Sequence, residues 1–179
     1  MTFRWALLPA LVVAGAASHA AEVVALSGID VPFFSSKPST FVRTGNGVFA
    51  AALLRFEAGS GNFETGILRA GASVTRQTGA FETRSDGSFW IAPFLYRIPL
   101  NAPFFHAAIG ADYAFGAGSL KSHPGLQAAL QASQDLGDDF GVVIDLRYRE
   151  GLGTGFVANG QSSGFRMLMA SLGFQKRLE

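Results

Sequence analysis

Phe105-His106-Ala107-Ala108-Ile109-Gly110-Ala111-Asp112-Tyr113-Ala114-Phe115 separates cleanly into two sets when alternate residues are taken. One set is Phe105, Ala107, Ile109, Ala111, Tyr113 and Phe115; the other is His106, Ala108, Gly110, Asp112 and Ala114. Successive side chains of a β-strand point to opposite faces, so a period of two marks a strand whose faces meet different environments. Here one face is greasy and ends in aromatics, while the other is small or polar.

The pattern continues on both sides. Downstream, Leu126, Ala128, Leu130 and Ala132 oppose Gln127, Ala129, Gln131 and Ser133; Val142, Ile144, Leu146 and Tyr148 oppose Gly141, Val143, Asp145, Arg147 and Arg149; Leu168, Ala170, Leu172 and Phe174 oppose Met167, Met169, Ser171, Gly173 and Gln175. Upstream, Val48, Ala50, Ala52, Leu54 and Phe56 oppose Phe49, Ala51, Leu53, Arg55 and Glu57. Leu68, Ala70, Ala72 and Val74 oppose Arg69, Gly71, Ser73 and Thr75, and Trp90 to Ile98 oppose Phe89 to Arg97. Pro93 has no N–H to give a ladder, which predicts a bulge or local irregularity there. A first strand around Val23 to Phe33 alternates poorly. That makes eight strands.

The connections alternate long and short from the first strand onward. The short ones are Ala58 to Gly61, Pro99 to Ala102 and Leu136 to Asp139; the long ones are roughly Phe34 to Asn46, Arg76 to Gly87, Gly116 to Pro124 and Gly151 to Gly164. Outer-membrane barrels have tight periplasmic turns and longer outer loops. The expected fold is therefore all-β, an eight-stranded antiparallel up-and-down transmembrane barrel with both termini in the periplasm.

The N-terminus fits export. Arg4 precedes an apolar run, Ala6 to Ala17, which ends in Ser18-His19-Ala20, predicting a signal peptide over 1–20 and a single barrel domain over 21–179. The run is too short for a membrane-spanning anchor, which needs about 20 residues. Without Arg4, 13 basic residues face 13 acidic ones, which gives no basic face for nucleic acid. No cysteine is present, so thiol chemistry and thiolate metal sites are excluded.

The non-aliphatic face decides between a soluble and a membrane barrel. Water-facing strands carry Lys and Glu, yet the three lysines, Lys37, Lys121 and Lys176, fall in loops or at a strand end. An Arg facing lipid at mid-depth costs about 2–4 kcal/mol. The predicted lumen network is accordingly Arg55, Glu57, Arg69, Arg97, Asp112, Gln127, Gln131, Asp145 and Arg147, with Arg149 and Arg166 available to the same carboxylates. Aromatics expected at the membrane interfaces are Phe56, Trp90, Tyr96, Phe105, Tyr113, Phe115, Tyr148 and Phe174. A soluble β-sandwich or lipocalin-like core is the rival for those rings.

On Phe89-Trp90-Ile91-Ala92-Pro93-Phe94-Leu95-Tyr96-Arg97, on Ala107 to Tyr113, and on Asp139-Phe140-Gly141 with Asp145-Leu146-Arg147-Tyr148, the chain resembles the small outer-membrane barrels of the OmpA/OmpX and PorT-like type. The resemblance runs from about Gly47 to Arg177. It departs after the last strand, where Phe174 is followed by Gln-Lys-Arg-Leu-Glu, and the peptidoglycan-binding domain of larger relatives is not expected here.

Motifs for chemistry are sparse. Gly160-Gln161-Ser162-Ser163-Gly164 has the spacing of a nucleophile elbow, but that motif needs a strand-to-helix turn, and here a Gly-rich loop leads into a strand. His106 lies six residues from Asp112, about 20 Å along a strand, and Ser122 beside His123 lacks a third orienting group. Asp135, Asp138 and Asp139 lack the spacing of a calcium loop. No catalytic residue, metal or cofactor is expected. The favoured function is a non-enzymatic envelope-structural or surface-interaction barrel, filled by its own side chains, with Phe41, Phe81 and Phe156 on its long loops. Its partners are outer-membrane lipids and the barrel-assembly machinery, with no loop partner specified, and it is expected to be a monomer. The alternatives are a barrel-type lipid hydrolase using Ser122, His123 or Ser162, and a narrow solute channel.

Overall fold

Alternation closes the chain on itself. The structure, a computed structural model, describes residues 22–34, 42–78, 81–102, 104–118, 120–137, 139–158 and 161–178. The expected signal segment 1–20 and Phe41 lie outside these residues. The strands are β1 (Glu22–Phe34), β2 (Val42–Gly45), β3 (Gly47–Ala58), β4 (Gly61–Thr78), β5 (Phe81–Pro99), β6 (Phe105–Gly118), β7 (His123–Asp135), β8 (Phe140–Gly151), β9 (Phe156–Ala158), β10 (Gln161–Ser163) and β11 (Phe165–Arg177). Among the described residues there is no helix.

Every barrel strand pairs antiparallel with its neighbour in sequence, and β1 pairs with β11 to leave no open edge. β2 and β3 make one barrel strand against β4. The register shifts by one residue between Gly45↔Ser73 and Phe49↔Ala70, so a bulge sits at Asn46–Val48. That gives eight barrel strands. A path through directly paired residues runs Glu57, Asn62, Arg97, Ala108, Ala129, Arg147, Met169, Asp30 and back to the first strand at Gly47. This ten-residue stagger from Glu57 to Gly47 is the shear that tilts the strands and closes the cylinder. A barrel of eight strands is just wide enough for its own side chains to fill.

The short connections stand where the alternation placed them, with Gly59 at φ 62° in the tightest, between β3 and β4. The long connections are more ordered than expected. β4 runs on to Thr78 and β5 begins at Phe81, so most of the expected Arg76–Gly87 loop is a protruding hairpin. β6 extends to Gly118 and β7 starts at His123, and β9 and β10 form a small hairpin inside the expected Gly151–Gly164 loop. At Pro93 no residue is inserted; the ladder merely lapses at Gly66 and Ile67 and resumes in the same register. β1 alternates well after all, with Val24, Leu26 and Asp30 inside and Ala25, Ile29 and Val31 outside.

The faces are inverted relative to a soluble protein. Outside stand Val48 (73% exposed), Ile109 (69%), Phe94 (66%) and Phe174 (63%), with Leu130, Ile144 and Leu172 between them. Inside, Arg55, Glu64, Arg147 and Arg149 are fully buried. Phe105 and Phe115 bound the apolar belt on β6. Ten residues of strand tilted by about 40° rise about 25 Å, the height of the lipid-facing band in outer-membrane barrels.

Candidate functional site

The interior is built in zones. At the end of the barrel that carries Glu22 and Arg177, the Gly59–Ser60 turn folds β4 onto β3 and sets Arg55 directly opposite Glu64. Arg55 donates from Nε to Glu64 (3.0 Å), from Nη1 to Glu22 (2.9 Å) and to Gln175 (3.0 Å), and from Nη2 to Gln131 (3.1 Å). Arg147 donates to Glu64 (2.6 Å) and to Asp145 (2.7 Å). Gln131 is the hub. Its Oε1 accepts from Arg97 (2.7 Å) and Arg55, while its Nε2 donates to Asp145 (2.7 Å) and Glu64 (3.1 Å). Both amide hydrogens and both oxygen lone pairs are thereby used, and the surrounding charges fix the amide's orientation. Two arginines, Arg55 and Arg147, pair with three carboxylates, Glu22, Glu64 and Asp145, and a third, Arg97, joins through the Gln131 amide, so that three positive charges stand with three negative ones. Balanced charge and dense hydrogen bonding are what a buried ionic cluster needs to offset desolvation.

Nearer the other end the lumen is largely apolar. Phe49, Leu68, Ile91, Met167 and Met169 fill the side formed by β3, β4, β5 and β11, and Phe89 and Phe165 meet edge to face at 5.3 Å beneath Leu120. Opposite them lies a second ionic group. Arg149 makes a forked contact with Asp112 (2.7–3.1 Å) and reaches Nε2 of His123 at 2.8 Å. Since arginine only donates, Nε2 accepts and Nδ1 carries the proton given to the Lys121 carbonyl at 2.7 Å. Glycines make room for this group. A Cβ on Gly125 would lie 2.6 Å from Arg149 Nη2 and 2.9 Å from Asp112 Oδ1, and one on Gly151 would lie 2.6 Å from His123 Nε2. Gly125→Ala is therefore expected to cost about 1–3 kcal/mol by overpacking, read as a lower urea midpoint for the detergent-folded barrel. An unchanged midpoint would mean that the Arg149 fork is loose.

Of the expected lumen residues, the structure brings together Arg55, Arg97, Gln131, Asp145 and Arg147 in one network and sets Asp112 in the other. Gln127 faces inward, and its amide has no hydrogen-bond partner among the described residues. Two expected members are misplaced. Arg69 is on the outside, 5.8 Å over the ring of Trp90, because β4 turns Leu68, Ala70 and Ala72 inward. Glu57 is exposed at the strand end beyond the plug. Arg166 is also outside, where it pairs with Glu150 at 2.8 Å beside Tyr148, whose hydroxyl donates to Glu150. Glu64, Glu22, Gln175 and Asp30 were not among the expected lumen residues. Asp30 is buried and accepts from the Gly71 N–H at 2.8 Å.

Trp90, Phe105, Tyr113, Phe115, Tyr148 and Phe174 are exposed on the outer face, with Phe56 and Tyr96 half-buried. They fall in two tiers: Trp90, Tyr113, Phe115 and Tyr148 toward the loop end, and Phe56, Tyr96, Phe105 and Phe174 toward the termini. Ser122 Oγ accepts from the Gly116 N–H at 3.1 Å while His123 points inward. Ser162 lies on the β9–β10 hairpin and not at a strand-to-helix turn. Asp135 is held by Arg177 (2.7 Å) and Gln175 (3.3 Å). Among the described residues no cluster of metal-ligating side chains occurs.

A closed eight-stranded antiparallel barrel with an apolar outside and an ionic inside is the architecture of outer-membrane barrel proteins. The chain is similar in fold to the outer membrane protein OprG from Pseudomonas aeruginosa, at 10% identity and a TM-score of 0.60, over 90% of this chain and 97% of that one. A second solved structure, the translocator domain of the autotransporter NalP from Neisseria meningitidis, aligns at 13% identity and a TM-score of 0.39 over 97% of this chain and 96% of that one. No protein-family model matches the chain, and no curated protein matches it.

Proposed function

We propose that the protein is an exported, non-enzymatic barrel of the outer membrane, released from its signal segment near Ala20, with both termini in the periplasm. On this reading it stabilises the envelope or presents its loops outward. The observation that carries this is the inversion of its faces: Arg55, Glu64 and Arg147 are fully buried inside a wall whose outer surface is Val, Ile, Leu and Phe. In water that arrangement would expose the greasy surface and bury the charges, and only lipid makes it favourable. The strand pattern keeps the OmpA/OmpX and PorT-like type as the kind of barrel expected.

Two features support a filled cylinder over an open pore. The Arg55–Glu64–Gln131–Arg147 cluster spans the lumen at one end, and Phe89, Phe165 and Leu120 pack across it at the other. Against a hydrolase, Ser122 and His123 are engaged with Gly116 and Arg149 respectively, so neither activates the other. The expected result is recovery in the outer-membrane fraction with a gel mobility that changes on boiling, and no large, stable conductance in planar bilayers. Recovery from periplasm without detergent would overturn the membrane reading; steady large openings would overturn the filled lumen.

A further inference from the structure

A cavity of about 330 Å³ opens at the terminus-bearing end of the barrel, bordered by Glu22, Arg97, Phe104, His106, Asp135 and Arg177. Its two carboxylates are engaged. Glu22 receives Arg55 at 2.9 Å and lies 3.9 Å from Arg177, and Asp135 receives Arg177 at 2.7 Å. Its buried cation is not. Arg97 is 95% buried by its 5% exposure, yet it meets no carboxylate within 4.0 Å among the described residues; only its Nε is used, on the Gln131 amide at 2.7 Å. The plug balances by count, but its carboxylates are taken up by Arg55 and Arg147. On the neighbouring strand, His106 borders the same cavity, its buried Nδ1 making no close hydrogen bond and drawn only weakly to the Phe104 carbonyl.

We propose that this recess binds a small organic monocarboxylate. The two free nitrogens of Arg97 grip its oxygens side by side, His106 donates from Nδ1 to one of them, and a short apolar tail rests toward Phe104. A guanidinium end is shaped for two parallel bonds to a carboxylate, and an unpartnered buried donor is costly until it finds an acceptor. Glu22 and Asp135 on the border repel a dianion, so a singly charged ligand is selected over sulfate or phosphate. The site requires only the folded barrel and is independent of whether the lumen conducts.

The test is calorimetric titration of the detergent-folded protein with sodium butyrate, against sodium chloride at matched ionic strength and sodium sulfate. Saturable butyrate binding at about 1 mM is expected, with sulfate clearly weaker. Arg97→Gln should weaken butyrate about tenfold and His106→Gln about threefold, while Arg69→Gln on the outer face leaves it unchanged. The boiling-dependent gel shift certifies each variant as folded, and if Arg97→Gln does not fold, His106→Gln decides. Absence of saturation in the parent, sulfate binding as tightly as butyrate, or undiminished affinity in a folded variant of either residue would overturn the proposal.

Discussion

Replacing Glu64 by Leu is expected to destabilise the folded barrel by about 3–5 kcal/mol, the cost of removing one partner from a buried ion pair. Glu64 is fully buried and serves two arginines, Arg147 at 2.6 Å and Arg55 at 3.0 Å, while also accepting from Gln131 at 3.1 Å. Leucine fills a similar volume but supplies no acceptor. Arg55 keeps Glu22 and Arg147 keeps Asp145, so the cluster retains structure yet carries an uncompensated positive charge among fully buried side chains. Glu64→Gln restores one acceptor without the charge and should lie between the parent and Glu64→Leu. Glu57→Gln, at an exposed position in the adjoining strand, should stay within about 0.5 kcal/mol. Urea unfolding in phospholipid vesicles measures all three, and Trp90, the only tryptophan after residue 20, provides the fluorescence signal. A loss under about 1 kcal/mol for Glu64→Leu would mean that water reaches and screens the plug.

The difference between what the sequence revealed and what it hid follows from how a narrow barrel is filled. On β6, β7, β8 and β11 the inward residues include Asp112, Gln131, Asp145, Arg147 and Gln175, so chemical contrast between the faces made the alternation easy to read. On β4 the contrast is reversed. Leu68 and Ala70 fill the lumen because an eight-stranded interior must be packed solid, and Arg69 sits outside, where Trp90 lies beneath its guanidinium. Polarity alone assigns such a strand to the wrong face. Register would have corrected it: with Gly59–Ser60 as the turn, Arg55 pairs with Glu64, and inward parity in β4 then falls on the even numbers. That same pairing exposes Glu64, which sequence reasoning missed because Asn62 to Ile67 lay between the assigned turn and strand. The hairpin order of β4 and β5 beyond the belt was invisible for another reason. Polar residues such as Thr75, Gln77, Thr83 and Arg84 read equally as loop or as a ladder in water.

The second large effect is expected on the face that first declared the fold. Ile109 stands 69% exposed near the middle of the belt between Phe105 and Phe115, with Tyr96 and Ala128 as its cross-strand neighbours. Ile109→Arg should lower stability in phospholipid vesicles by about 2–4 kcal/mol, the cost of a guanidinium at the bilayer midplane. A surface strand in water would tolerate the same change within about 0.5 kcal/mol. Arg69 is the natural control. It is also on the outer face, but it lies near Trp90 and Phe115, where the aromatic tier marks the interface, and there an arginine costs about 0–1 kcal/mol. Arg69→Leu should therefore change stability little, and the gap between the two variants measures depth directly. Were Ile109→Arg as mild as Arg69→Leu, the outer face of β6 would be meeting water, and the ionic interior would need some other cause than lipid outside it.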